Sequence, residues 1–440
     1  MRKYFICTLG CQMNEHDSEV IAGILEGRGY IAADALEEAD VIIFNTCCVR
    51  ENPERKVYGR IADLKRLKRA NPDLIIGVCG CMVQQEGEPQ RIAEKLPHVD
   101  LVFGTMNIHR LPELLDRVEA GRKAVEVWGG EGGIVERLPI RRADAVSAWV
   151  TIMYGCDNYC SYCIVPYVRG RERSRRFEDI VREVRGLGNS GFREVVLLGQ
   201  NVNSYGRDLA DGHDFADLLN ALDGTPGIYR IRYTTSHPRD FSQKLIDTIA
   251  AARTVCEHFH LPLQAGSDKV LARMNRGYTQ AHYLDLVRRI REAVPGASIT
   301  TDLIVGFPGE TEEDFLETLK VVREVRFDSA FTFVFSPRRG TAAARMADQV
   351  PENVKSERIQ RLIAVQEAIT AEINEGLRGR VVEILVEGES KTNPSMLAGR
   401  TRTNKLVVFP RDDRVRRGDL VKVKITKPQA WTQMGEVVEV

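Results

Sequence analysis

Short apolar runs alternate with amphipathic stretches over the first 120 residues. KYFICTLG, VIIFNTC, LIIGVCG and LVFGT have the length and continuous apolarity of buried strands, while 17–28, 57–69 and 111–120 have helical spacing and charge. Such alternation predicts βα units around a parallel sheet. Residues 121–145 change character: WGGEGGIVERLPIRRAD is glycine-rich and charged, and reads as a linker with an exposed strand. From Trp149 the alternation resumes in WVTIMYG, EVVLLGQN, IYRIRYTTS, HFHLPLQ, SITTDLIVGF and SAFTFVFSP. Helical stretches separate them near 178–187, 215–222, 241–251, 279–294 and 311–325. Six such repeats predict a partial (βα)6 barrel, short of the eight that close one. A helix near 354–374 carries Ile359, Leu362, Ile363, Ile369 and Ile373 on one face. Beyond Gly376 and Gly379, VVEILVEG, KLVVFP and DLVKVKITK predict a small OB-like β-barrel. The expected fold class is α/β in three domains: a parallel α/β domain over 1–120, a linker over 121–145, a partial barrel over 146–374 and a small β-barrel over 375–440.

A chain of 440 residues is long enough for several cores. Its 62 Lys and Arg balance 62 Asp and Glu, so no global field advertises a polyanionic partner and charge has to be read locally. Ten cysteines are too few and too irregular for a disulfide scaffold of this size, and their close spacing favours metal binding. No apolar run reaches the ~18–20 residues of a membrane span. MRKYFICTLGC imitates a signal peptide, but its apolar stretch is short and QMNEHDSE follows at once, which predicts a first strand and a cytoplasmic protein with no membrane partner.

Cys156, Cys160 and Cys163 have the spacing C-x3-C-x2-C in GCDNYCSYCIVPYVRGRERSRR. Positions i, i+4 and i+7 share a helical face, so three core cysteines are the bland alternative. Gly155, Asp157, Asn158 and Pro166 favour a loop instead. Three thiolates suit an iron–sulfur cubane that keeps one iron open to chelate a small molecule. The segment follows the first barrel strand, where loops at strand C-termini carry chemistry. In the first domain three strand runs pass directly into a cysteine: Cys11, Cys47 and Cys81. Strand ends of a parallel sheet share one edge, so these three can converge. Cys7 and Cys79 lie inside apolar runs and read as core. Cys48, adjacent to Cys47, is expected to point elsewhere by alternation.

C-x3-C-x2-C after a first barrel strand resembles the radical S-adenosylmethionine enzymes. The resemblance implies that the open iron binds the amino and carboxylate groups of S-adenosylmethionine, and that reduction releases a 5′-deoxyadenosyl radical. It places Tyr162 against the cofactor, brings Gly199, Gln200 and Asn201 near its methionine amino group, and makes Ser236 and Gln264 candidates for further polar contacts. The alternative for each polar residue is a helix cap or a turn. GCQMNEHDSE, NTCCVRE and GCMVQQEGE, with LLGQNVNSYG, TTSHP, LPLQAGSDKVLARMNRGYT and TDLIVGFPGETEEDF, resemble the methylthiotransferases of that group over nearly the whole chain. By that resemblance Cys11, Cys47 and Cys81 ligate a second [4Fe–4S] cluster, which carries or donates sulfur. The doublet Cys47-Cys48 departs from the single cysteine expected there. The implied reaction places a methylthio group on carbon-2 of an N6-dimethylallyl (isopentenyl) adenosine at position 37 of tRNA, next to the anticodon. It uses S-adenosylmethionine as methyl donor and radical source, and an electron donor. No catalytic side chain is expected beyond the clusters.

Arg169, Arg171, Arg173, Arg175 and Arg176 follow the cysteine loop with a single acid, Glu172, among them. A solvated face is the bland reading; clustered guanidinium groups at the mouth of a site also suit phosphates. The C-terminal segment adds Arg400, Arg402, Lys405, Arg411, Arg414, Arg416 and Arg417. In the family this segment is a TRAM domain, an RNA-binding module. Arg169, Arg171, Arg173, Arg400, Arg402, Arg414 and Arg416 are therefore expected to contact tRNA. The alternatives are methylthiolation of threonylcarbamoyl-adenosine in tRNA or of a ribosomal aspartate, and a non-catalytic iron–sulfur protein that binds RNA.

Overall fold

The computed structural model describes residues 1–48, 51–129 and 133–439, with side chains from residue 56 onward in the helix Glu51–Asp63. Residues 49 and 50 of the second cysteine motif, and 130–132 of the glycine-rich linker, lie outside it.

Six parallel strands form the first domain: β1 (Lys3–Leu9), β2 (Ile31–Ala32), β3 (Val41–Thr46), β4 (Ile75–Gly80), β5 (Leu101–Phe103) and β6 (Ala124–Glu126). Their order is β2-β1-β3-β4-β5-β6. β3, β4 and β5 are buried throughout, which is why they read as continuous apolar runs rather than alternating ones. The sheet reverses its direction of growth between β1 and β3, and ligands bind at such a switch point in open α/β sheets. Helix α1 (Gln12–Gly27) starts there. β6 extends the sheet to residue 126, past the boundary expected at 120. Its three residues are too short and too mixed to signal a strand alone.

The second domain contains β7 (Ser147–Thr151), β8 (Met153–Tyr154), β9 (Arg173–Ser174), β10 (Glu194–Leu198), β11 (Arg230–Tyr233), β12 (His258–His260), β13 (Ser298–Val305) and β14 (Ser329–Val334). β7, β10 and β11 make one parallel sheet, and β12, β13 and β14 another. A parallel bridge from Ile231 to Val255 joins them into the open barrel of six expected from the sequence. Its core packs Val150, Val195, Ile231, Phe259 and Leu303 against helices outside the sheet. The helix Glu352–Glu375 closes the barrel's far side with Leu362 and Ile369 buried.

β15 (Val381–Ser390), β16 (Asn393–Thr401), β17 (Leu406–Pro410), β18 (Leu420–Lys427) and β19 (Thr432–Glu439) form a closed five-stranded barrel around Ile384, Val407, Phe409, Val421, Val423 and Ile425. It docks on the N-terminal ends of the central strands. Arg232 in β11 is 6% exposed, pairs with Glu194 at 2.6 Å, and donates to the carbonyls of Thr401 and Arg402 at 2.7 and 2.9 Å. Lys405 meets Asp328, and Arg417 meets Asp144. No helix among the described residues is long and apolar enough to cross a membrane.

Candidate active site: two cysteine clusters facing across a domain boundary

Cys156, Cys160 and Cys163 lie in the loop that leaves β8, beyond the C-terminal ends of the barrel strands. The loop is not helical through the three cysteines, which removes the helical-face alternative. Gly155 begins it at φ 77°, where a Cβ would stand 1.9 Å from the Arg171 carbonyl oxygen, so only glycine fits. Gln200, at the end of β10, accepts a hydrogen bond from the Gly155 backbone N–H at 2.6 Å. Ser161 ties the loop to the Arg273 and Met274 carbonyls. Burial pushes the Cys156 and Cys163 thiols up to about 12. Iron binding must therefore displace protons from both. Arg276, 4% exposed, donates to Cys160 Sγ at 3.3 Å and to the Tyr162 hydroxyl at 3.4 Å. A buried cation beside the thiolates offsets the charge they acquire. No local pattern singles out this arginine, whose role appears only when the loop between the helices Asp268–Arg273 and Gln280–Ala293 folds over the cysteines.

Two other strand ends face the same loop. Thr235 and Gln264, after β11 and β12, have φ of 68° and 71°, a region costly for side chains and concentrated at functional sites. Ser236 Oγ, Gln264 Oε1 and His237 Nε2 are buried with no hydrogen-bond partner among the described residues. Buried polar atoms seldom stay unpaired in the working state of a protein. Polar groups of S-adenosylmethionine would satisfy them, so the site fits the cofactor. Gln200 instead spends its carbonyl oxygen on the cysteine loop.

The second set sits at the sheet edge of the first domain. Cys11 caps α1 and is exposed, Cys47 is half-buried after β3, and Cys81 is buried after β4. Backbone bonds run from Cys47 N to Leu9 O and from Cys81 N to Thr46 O, at 2.9 and 2.7 Å. Asn14 and Asn45 lock α1 to β3 by reciprocal amide bonds of 2.9 and 2.8 Å. Gly80, at φ 97°, would drive a Cβ into the Thr46 carbonyl, so glycine allows the turn into Cys81. A hydrogen bond from Cys48 outweighs burial and, with Arg169, lowers the Cys81 thiol to about 6. The Cys81 thiol is thereby biased toward the thiolate, the form that binds metal. Cys79 is core, as expected, and burial raises its thiol well above the ordinary value. Cys48 does not point away. It packs against Cys81, Ile164 and Val168, because the chain leaves the strand at Thr46 and alternation no longer governs it.

Among the described residues no three His, Cys, Asp or Glu groups are close enough to share a single ion. A cubane asks for something different, one thiolate on each of three irons. The two cysteine sets meet across the domain boundary: Ile164, next to Cys163, packs on Cys48 and Cys81. Beside them opens a cavity of about 780 Å³, walled by Leu9, Lys56 and Arg60 on one side and by Tyr162, Cys163 and Gln264 on the other.

Residues 3–104 match a family described as "Uncharacterized protein family UPF0004", 150–322 the radical SAM superfamily and 376–438 the TRAM domain. A tRNA-2-methylthio-N(6)-dimethylallyladenosine synthase of Desulforamulus reducens is 59% identical over 436 residues, covering 99% of this chain and 95% of its own. That of Carboxydothermus hydrogenoformans is 57% identical, covering 99% of each. The chain belongs to the tRNA-2-methylthio-N(6)-dimethylallyladenosine synthases. It is a radical S-adenosylmethionine enzyme, with [4Fe–4S] clusters and S-adenosylmethionine as its cofactors. Among solved structures, the radical S-adenosylmethionine methyltransferase TsrM of Kitasatospora setae, with cobalamin and a [4Fe–4S] cluster bound, superposes with a TM-score of 0.57 over 78% of this chain and 74% of its own. At 15% identity that likeness speaks to the fold.

In this synthase the arginine run divides. Arg171 is exposed and meets Asp157 at 3.1 Å. Arg173 is half-buried in β9, and burial lowers its pKa. Arg175 is buried between Glu136 and Glu183. Arg169, expected on an RNA-facing surface, is 4% exposed and reaches into the first domain, where its Nη2 meets Asp17 at 2.8 Å and its Nε donates to Cys81 Sγ at 3.2 Å. Arg402 is partly buried, and its charged end is turned to the central domain rather than to solvent. It binds Glu257 at 2.6 Å and the Arg253 and Val255 carbonyls, holding the small barrel to the central one. Arg400 is half-exposed against Glu387, and Arg414 and Arg416 are exposed. Arg414 pairs with Asp412. The surface expectation failed for Arg169 and Arg402 because a polar run looks solvated until a second domain covers it.

Proposed function

We propose that the two cysteine sets divide one methylthiolation, on carbon-2 of the N6-dimethylallyladenosine at tRNA position 37 beside the anticodon, in the cytoplasm, with an electron donor supplying the barrel site. The observation that carries this reading is the packing of Ile164, the neighbour of Cys163, on Cys81 and Cys48. The cavity lined by Cys163 on one side and by Leu9, Lys56 and Arg60 of the first domain on the other then lies between the two sites. When bound, a [4Fe–4S] cluster with an open iron supplies a coordination position and an electron. Cys156, Cys160 and Cys163 hold one cluster in this reading, and Cys11, Cys47 and Cys81 the other.

The remaining residues orient and shield. Ser236 and Gln264 offer unpaired polar atoms to S-adenosylmethionine, and Tyr162 forms a wall beside Cys163. Ile304, Phe333 and Phe335 give the cavity an apolar side suited to a dimethylallyl group, and Lys56, Arg60 and Arg338 give it cations suited to phosphate. Arg171, Arg173, Arg400, Arg414 and Arg416 remain the candidates for contacts along the tRNA. Mass spectrometry of tRNA nucleosides from a strain lacking this chain, and from that strain with it restored, tests the reading. Return of 2-methylthio-N6-dimethylallyladenosine is expected. Return of a methylthiolated threonylcarbamoyl-adenosine alone would overturn the substrate.

A further inference from the structure

Arg169 arises six residues after Cys163, on the barrel's own cysteine loop, yet its guanidinium ends in the other domain. Three of its nitrogens have distinct fates. Nε donates to Cys81 Sγ at 3.2 Å, and Nη2 meets Asp17 Oδ2 at 2.8 Å. Nη1 is buried with no partner among the described residues. Arg169 and Asp17 are each about 4% exposed. An ion pair that merely glued the domains would need neither the sulfur contact nor a dangling, desolvated N–H pair. Arginine presents five N–H donors in a fixed fork, so two arms held by Asp17 and Cys81 fix where the third points. Sulfur is the acceptor chemistry at hand: Cys81 is in contact, and Cys11 is near enough to act electrostatically on Arg169.

We propose that Arg169 is a positioning residue of the auxiliary iron–sulfur centre: supplied by the barrel domain, it donates N–H bonds to the Cys81 thiolate and, through Nη1, to the sulfur of the group bound there, while Asp17 holds its fork and moderates its charge. The proposal rests on Cys81 being a cluster ligand. Its chemistry follows from charge. A cubane held by three thiolates becomes more negative when it gains an electron or an anionic sulfur ligand such as hydrosulfide. A buried cation with N–H···S bonds stabilises the more negative state and raises the reduction potential. The auxiliary centre is then electrostatically complete only while the barrel domain is docked on it.

The test uses the full chain with Cys156, Cys160 and Cys163 changed to Ala, reconstituted anaerobically so that the auxiliary cluster alone remains. Its midpoint potential is read by electron paramagnetic resonance during titration with dithionite, which supplies the electron. Arg169→Gln is expected to lower the potential, with Arg169→Lys falling between it and the parent. Asp17→Asn, which leaves the guanidinium uncompensated, is expected to raise it. The opposite signs exclude domain glue, for which both changes would loosen the same contact and shift the centre the same way. If Arg169→Gln does not fold, Arg169→Lys and Asp17→Asn still carry the sign comparison. An unchanged potential in the folded variants, or shifts of one sign, would overturn the proposal. A parent that holds no iron would overturn instead the assignment of Cys11, Cys47 and Cys81; a parent with about four irons and a variant with unshifted potential leaves that assignment standing.

Discussion

Arg402 of the small barrel grips Glu257 of the central one, with Nη2 and Nε at 2.6 and 2.9 Å from Oε1. It is a fastener between domains. Arg402→Ala removes charge-assisted bonds that are one-quarter to one-third exposed, so its loss is expected to cost about 1–2 kcal/mol of docking. Limited proteolysis near residues 376–380 should accelerate. The salt dependence of tRNA binding should keep its slope.

Arg414→Ala combined with Arg416→Ala should behave in the opposite way. Both residues are exposed, and phosphate contacts release counterions. Binding to substrate tRNA, titrated at several salt concentrations, should weaken and its logarithmic slope should flatten. An unchanged slope and affinity would return these arginines to a solvated face.

Iron content separates the two cysteine sets. Anaerobically reconstituted protein should hold about eight irons, the sum of two cubanes. Changing Cys156, Cys160 and Cys163 together to Ala should leave about four, and so should changing Cys11, Cys47 and Cys81. Iron kept in full by the second triple variant would show that its ligands lie elsewhere in the chain.

The Cys47-Cys48 doublet calls for single variants. Cys48 is 1% exposed and packed with Ile164 and Val168, whereas Cys47 is half-buried at the sheet edge, its backbone N–H bonded to the Leu9 carbonyl. Cys47→Ala should lose about four irons and Cys48→Ala should keep about eight. The reverse pattern would exchange their roles.

Activity should separate along the same line. With Cys11, Cys47 and Cys81 replaced, 5′-deoxyadenosine should still form from S-adenosylmethionine, because Arg276, Tyr162 and the barrel cysteines are untouched. Methylthiolated tRNA should not form. Chromatography of both products checks this, and loss of both in a well-folded variant would mean that the sites are not independent.

The barrel cysteines were legible because Gly155, Asn158 and Pro166 break any helix through them. The sheet-edge cysteines were legible because buried strands advertise where they end. Arg169 and Arg402 were not. Each contacts a partner more than 140 positions away, Asp17 and Glu257, and no local pattern distinguishes an arginine covered by another domain from one in water. Cys48 departs from its expected orientation for a related reason: alternation holds only while the strand lasts, and β3 ends at Thr46. β6 leaves no mark in the sequence pattern because three residues carry too little periodicity to count.

The small barrel sits at the N-terminal ends of the central strands, and the cysteine loop lies beyond their C-terminal ends. A strand of five to eight residues therefore separates them, a depth of roughly 20 Å. Bolted at one face and reactive at the other, the central domain works as a caliper. A free nucleoside can touch only one jaw. A long, stiff, folded RNA is large enough to span both.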